Sequence, residues 1–95
     1  MSIDSFKHKG LEQLFCTGKA ASIGPQHRTK AKMILDMLNA ATCTRDLAGA
    51  AGFHPLGGDR KGEYSMHVNG NYVITFRFDK GDNGNVIDVD FGDYH

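Results

Sequence analysis

The chain has 95 residues, with 11 basic and 11 acidic side chains and a formal net charge of zero. That length suits one domain, residues 1–95, able to bury a core without disulfides. A neutral total argues against non-specific coating of nucleic acid, no apolar run nears the roughly 20 residues of a membrane span, and the opening MSIDSFKHKG lacks a signal-peptide core, so a cytoplasmic protein is expected.

Residues 5–16 have helical periodicity. Phe6, Leu11, Leu14 and Phe15 form an apolar stripe, with Lys7, His8, Lys9 and Glu12 outside it. Gly10 weakens the middle, and Thr17-Gly18 is a stop signal. Ile23-Gly24-Pro25 breaks the chain and Pro25 suits the first turn of a second helix, which runs to about Ala41. Ala31, Ile34, Leu35 and Leu38 mark its buried side. His27, Arg28, Lys30 and Lys32 lie near its start, where the helix dipole disfavours cations. They read either as a contact for a partner such as RNA or as a solvated face. The two helices are expected to form an antiparallel pair.

Thr44 is a candidate cap for a short turn over Arg45–Ala48, followed by the loose connector Gly49–Gly52. Phe53–Leu56 reads as a short strand, which Pro55 confines to a sheet edge or end. Tyr64–Val68 and Tyr72–Phe78 are rich in aromatic and β-branched residues and flank Asn69-Gly70-Asn71, a hairpin signal. A two-residue turn would split the apolar residues between the two faces. A bulge or three-residue turn unites Tyr64, Met66, Val68, Tyr72, Ile74 and Phe76 on one face, and burial favours it. His67, Val73, Thr75 and Arg77 are then left on the opposite, open face. After the polar loop Lys80–Asn85, Val86–Phe91 forms a last strand with Ile87, Val89 and Phe91 on one side and Asp88 and Asp90 on the other. The fold class is α+β: two N-terminal helices packed on a three- to four-stranded antiparallel sheet.

Charge is uneven along this chain. Residues 1–35 hold six Lys/Arg against two acids, and residues 63–95 hold two against six. Cys16 and Cys43 are the only cysteines and lack metal or redox spacing. Two reduced thiols are expected, with a single disulfide as the alternative. The five histidines form no HxxxH or HxH pair, and there is no phosphate loop, dinucleotide fingerprint or GxSxG. No metal or cofactor is expected.

Candidate functional residues fall in three places. His54 sits beside Pro55 in a glycine-rich corner with Gly57-Gly58, Asp59, Arg60 and Lys61. Arg60 and Lys61 suit a phosphate and equally suit an exposed surface. Arg77 is a long cation inside a strand otherwise built for burial. The chain ends in Asp93-Tyr94-His95, an acid, a phenol and an imidazole at one end of the sheet, where a frayed terminus is the ordinary reading.

The segments SFKHKGLEQLF, FHPLGGDRKGEYSMHVNGNYVITFRF and the terminal DYH resemble, in order and over nearly the full length, the HigB-type killer toxins of the RelE/ParE superfamily. The resemblance implies a RelE-like fold and a type II toxin neutralised by a HigA-type antitoxin with a helix-turn-helix domain, operator DNA being met only through that antitoxin. It implies a metal-independent endoribonuclease, an mRNA interferase that cuts mRNA in the ribosomal A site by attack of the ribose 2′-OH on the adjacent phosphate. By motif position the catalytic set is His54, Asp93, Tyr94 and His95, with Arg60, Lys61 and Arg77 as phosphate-binding candidates.

Two positions depart from the family pattern: Gly57 stands where HPLKGDR has lysine, and Val73 where NWRITF has arginine. Loss of such a cation costs roughly 10²–10³ in rate where it stabilises a transition state. The alternative readings are therefore an attenuated toxin, a gyrase-binding relative, or a co-repressor acting through protein binding.

Overall fold

The fold grows from a four-stranded antiparallel meander whose strands lie side by side in chain order. The computed structural model describes residues 3–19 and 23–93. The strands are β1 (His54–Pro55), β2 (Tyr64–Asn69), β3 (Tyr72–Phe78) and β4 (Val86–Asp93). Two helices, α1 (Lys9–Thr17) and α2 (Pro25–Ala40), precede them and pack on one side of the sheet.

The hairpin adopts the bulged register. Tyr64 lies opposite Phe76 and Met66 opposite Ile74, and the register shifts between His67 and Asn69. Met66, Val68, Ile74 and Phe76 thereby join one core with Leu11, Leu14, Ile34, Leu35 and Leu38 from the helices. Burying those side chains outweighs the simpler two-residue turn, because a one-residue slip would send the whole set to the other face.

Helix α1 begins later than its periodicity suggests. The chain from Ile3 to Phe6 lies parallel to the free edge of β4, pairing Ile3 with Val86 and Phe6 with Val89. Asp4 N donates to Val86 O at 2.7 Å and Lys7 N to Val89 O at 2.8 Å. Phe6 reaches the core from this extended segment, so its apolar character mimicked a helical stripe. Covering an exposed strand edge satisfies backbone groups that a helix extended back to residue 5 would leave open. His8 caps the helix instead, its Nδ1 accepting from Leu11 N at 3.2 Å.

Two further expectations need correction. Thr44 does not cap the 3-10 turn Thr44–Leu47; the Asp46 carboxylate reaches back to Thr42, accepting from its N at 2.9 Å and its hydroxyl at 3.0 Å. That acceptance holds the Asp46 carboxyl below its ordinary value. In β4, Ile87 does not share a face with Val89. The ladder slips between Thr75 and Arg77, where two β4 residues oppose Phe76, and Asp88 takes φ +57°. This bulge lets Val86 and Val89 both enter the core at 0% exposure, while Ile87 lies opposite Arg77.

Both cysteines are free, Cys16 exposed and Cys43 half-buried. No helix among the described residues is long and apolar enough to cross a membrane.

Candidate active site

Alternation along the strands defines a second face, turned away from the helices. One rung crosses the whole sheet on it: His54 opposite Ser65, Ser65 opposite Thr75, Thr75 opposite Asp90. The neighbouring rungs bring His67, Val73 and Gly92 on one side and Arg77 and Ile87 on the other. This face is not open as expected. Ser65 is 0%, Val73 2% and Thr75 5% exposed, beneath the segment 56–63 that returns over it.

His54 stands at the exposed edge of the rung. Its Nδ1 lies 2.9 Å from Gly52 O, and a carbonyl only accepts, so Nδ1 carries a proton. In the neutral ring Nε2 is then the acceptor, and it faces the hydroxyl of buried Ser65 at 3.3 Å. The His54 ring also stacks beside His67, centroids 6.0 Å apart. The backbone thus favours the Nδ1–H tautomer of the neutral imidazole, whose Nε2 points along the rung.

The segment 56–63 places the cations. A 3-10 turn, Gly58–Arg60, lets the Arg60 side chain fold onto Glu63 in a two-point fork, Nε and Nη2 each 3.0 Å from a carboxylate oxygen. The Glu63 side chain is only 10% exposed and also faces Arg77 Nη2 at 3.8 Å. Arg77 has a second carboxylate nearby, Asp88, at 4.0 Å. The Arg60 hydrogen bonds, then the charges of Arg60, Arg77 and Lys7, hold the Glu63 carboxyl below the ordinary glutamate value despite the opposing effect of burial.

Arg60, Val73, Thr75, Asp90, Phe91, Gly92 and Asp93 line a cleft of about 80 Å³, ample for ordered water. Arg60 and Asp93, both singled out from sequence, therefore meet here. His54 does not line this cleft; at a strand spacing of about 4.8 Å it lies roughly 10 Å from Thr75 along the rung. Arg77 sits at the flank, and Lys61 is exposed on the loop above. Tyr94 and His95 lie outside the described residues.

Sequence reasoning placed Thr75 on this face but gave it no role, and it missed Glu63 and Ser65. Glu63 precedes a strand and reads as a solvated acid; its position three residues after Arg60 was the available signal. Ser65 and Thr75 look like ordinary strand residues, and only the register puts them in line with His54. Three of the four basic side chains at the start of α2 have contacts within the chain. Arg28 Nε donates to Ile23 O at 2.8 Å, Lys32 pairs with Asp36 at 2.7 Å and lies over Phe15, and His27 is buried against Tyr72. Among the described residues no cluster of three or more potential metal ligands occurs.

Comparison with known proteins reaches the same part of protein space. The family model described as "RelE-like toxin of type II toxin-antitoxin system HigB" matches residues 4–95. The endoribonuclease HigB of Proteus vulgaris is 37% identical over 94 residues, covering 98% of this chain and 99% of that relative.

Proposed function

Since the chain belongs to the RelE-like HigB toxins of type II toxin–antitoxin systems, we propose that it is an endoribonuclease that cuts translated mRNA on the ribosome. It acts in the cytoplasm and is held inactive by a HigA-type antitoxin, through which alone it meets operator DNA. One core cluster draws on both helices and on β2, β3 and β4, which supports reading residues 1–95 as one toxin domain. The observation that carries the nuclease reading is the rung from His54 to Asp90, with the Arg60 fork standing over its far end.

The chemistry suited to that face is internal transfer at phosphorus. The ribose 2′-oxygen bonds to the adjacent phosphorus, the P–O5′ bond breaks, and the products are a 2′,3′-cyclic phosphate and a 5′-hydroxyl. The 2′-OH proton goes to a base and the leaving oxygen receives one from an acid. His54 offers a neutral nitrogen for one proton and His95 is its counterpart. Asp93 orients an imidazole or serves as the base. Tyr94 stacks on a nucleobase or donates a hydrogen bond. Arg60, Arg77 and Lys61 stabilise charge on the phosphorane. The scheme needs no metal or other cofactor.

A second reading, an attenuated toxin or a binder of a protein such as gyrase, keeps one specific support. Buried Val73 floors the cleft where the family carries arginine, and Arg60 in the cleft and Arg77 at its flank already face carboxylates.

Mapping of mRNA 5′ ends after brief expression without antitoxin separates the readings. In-frame cuts that require translation and vanish in the His54→Ala/His95→Ala double variant are expected. Cuts that survive the double variant remove these histidines from the mechanism; growth arrest without cuts moves the protein to the second reading.

A further inference from the structure

The best-organised charge cluster of the described residues is centred on an acid, not on a base. Glu63 contacts Arg60 through two hydrogen bonds of 3.0 Å and faces Arg77 at 3.8 Å, with its side chain 10% exposed. Its backbone is equally constrained: Glu63 N donates to Arg60 O at 3.0 Å, and Glu63 O accepts from Leu56 N at 2.9 Å. The preceding Gly62 has φ +96°, and a Cβ there would stand 3.0 Å from Arg77 Nη1. The glycine thus lets the chain pass close to one guanidinium while the next residue grips both.

Two arginines left alone this close would repel and rotate apart, since each long side chain has many rotamers. A planar two-point fork fixes a guanidinium in both direction and plane. Burying an acid here is costly unless both cations remain, so the placement of each arginine depends on the same carboxylate.

We propose that Glu63 is a positioning residue of the nuclease site, a buried carboxylate that yokes Arg60 in the cleft to Arg77 at its flank, so that a phosphodiester meets two pre-oriented cations. This rests on the nuclease reading above for its substrate, a phosphodiester of RNA. Glu63 itself touches no reacting atom. Its negative charge lowers the general attraction for RNA while its geometry favours the transition state, so removing the charge separates binding from turnover.

Glu63→Gln keeps shape and removes charge. On purified ribosomes programmed with message, its kcat is expected to fall roughly 10- to 100-fold, the scale of a misplaced catalytic group, with KM unchanged or lower. Glu63→Asp, which retains the charge on a shorter arm, regains part of that loss. A merely structural glutamate would instead lower the folded fraction and leave kcat per folded molecule intact.

A second readout needs no turnover. In nitrogen-15 NMR the Arg60 Nε–H and the Arg77 Nη–H groups, the ones that face Glu63, are expected to give separate, exchange-protected signals in the wild type, both shifting with a 2′-O-methyl RNA oligonucleotide that lacks the attacking hydroxyl. In Glu63→Gln both signals are expected to lose protection and move, while the Arg77 Nε–H beside Asp88 keeps its place. Should that variant not fold, Glu63→Asp decides: its shorter arm reaches one guanidinium, so one protected signal is lost. Retention of both signals, or of wild-type kcat in Glu63→Gln, overturns the proposal. Wild type that cuts no message while its arginine signals behave as expected sinks the nuclease reading and leaves the yoke standing.

Discussion

The two faces of one sheet are built by opposite rules. On the helix side, apolar side chains meet in register: Met66 opposite Ile74 and Tyr64 opposite Phe76, with both helices above. On the other side a loop of eight residues, 56–63, covers polar rungs and buries Ser65, Thr75 and Glu63. The first face is redundant, because many non-directional contacts share the load. The second depends on a few directional ones, so each polar group there has an identifiable partner or stands at the cleft. Stability therefore resides mainly on one face and the proposed chemistry on the other, and substitutions can separate the two.

The largest effect is expected on the helix side. Phe76 is 0% exposed and packs against Phe53, Tyr64 and Phe78 at centroid distances of 6.2, 5.8 and 5.9 Å. Phe76→Ala should cost about 3–5 kcal/mol, a large share of the roughly 5–15 kcal/mol that holds a small domain together. Urea unfolding checks it. A loss below about 1 kcal/mol would mean that the stabilising core lies elsewhere.

The next is aimed at the loop. Gly62→Ala forces a Cβ onto φ +96° and to 3.0 Å from Arg77 Nη1. A strain of about 1–3 kcal/mol is expected, together with a fall in cleavage per folded molecule, because Arg77 must move. Phe76→Ala should show no such fall among the molecules that remain folded. Equal loss of specific activity in both variants would erase the distinction between the faces.

The same contrast explains what could be read from sequence. Apolar residues announce a face by their spacing, so α2, the hairpin register and the core side of β2 and β3 were legible. Phe6 was legible as buried but not as extended, because edge pairing with β4 is long-range. The β4 phase was misleading because Asp88 adopts a conformation its side chain does not advertise. His54, Arg60, Arg77 and Asp93 were legible only as chemistry-bearing residue types. Their arrangement was not: the link from Glu63 to both arginines depends on how 56–63 returns over the sheet.

Acid should weaken the polar face selectively. Arg60 chiefly, then Arg77 and Lys7, hold the Glu63 carboxyl below its ordinary value. A carboxyl depressed in the folded state stabilises that state fully above its unfolded value, about 4.3, and the contribution is lost as pH falls through the lower folded value. Stability measured from neutral pH downward should drop in that window, and the drop should be shallower in Glu63→Gln. Identical acid profiles for the two proteins would show that the Arg60 fork adds nothing to folding.

The smallest effect concerns the bulge that sets the two faces of β4 in phase. Asp88 holds φ +57°, a conformation an L-residue adopts at some expense. Its backbone N–H donates to Ser5 Oγ at 2.9 Å, a bond glycine would keep. Its carboxylate lies 4.0 Å from Arg77, both side chains more than a third exposed, a pair worth little in water. Asp88→Gly relieves the backbone, while glycine adds freedom to the unfolded chain. The balance is a gain of no more than about 1 kcal/mol, read as a raised urea midpoint at unchanged slope. A loss of similar size would mean that the Asp88 carboxylate, rather than the backbone around it, holds the bulge. The polar face would then reach further into the stability of the sheet than the division between faces allows.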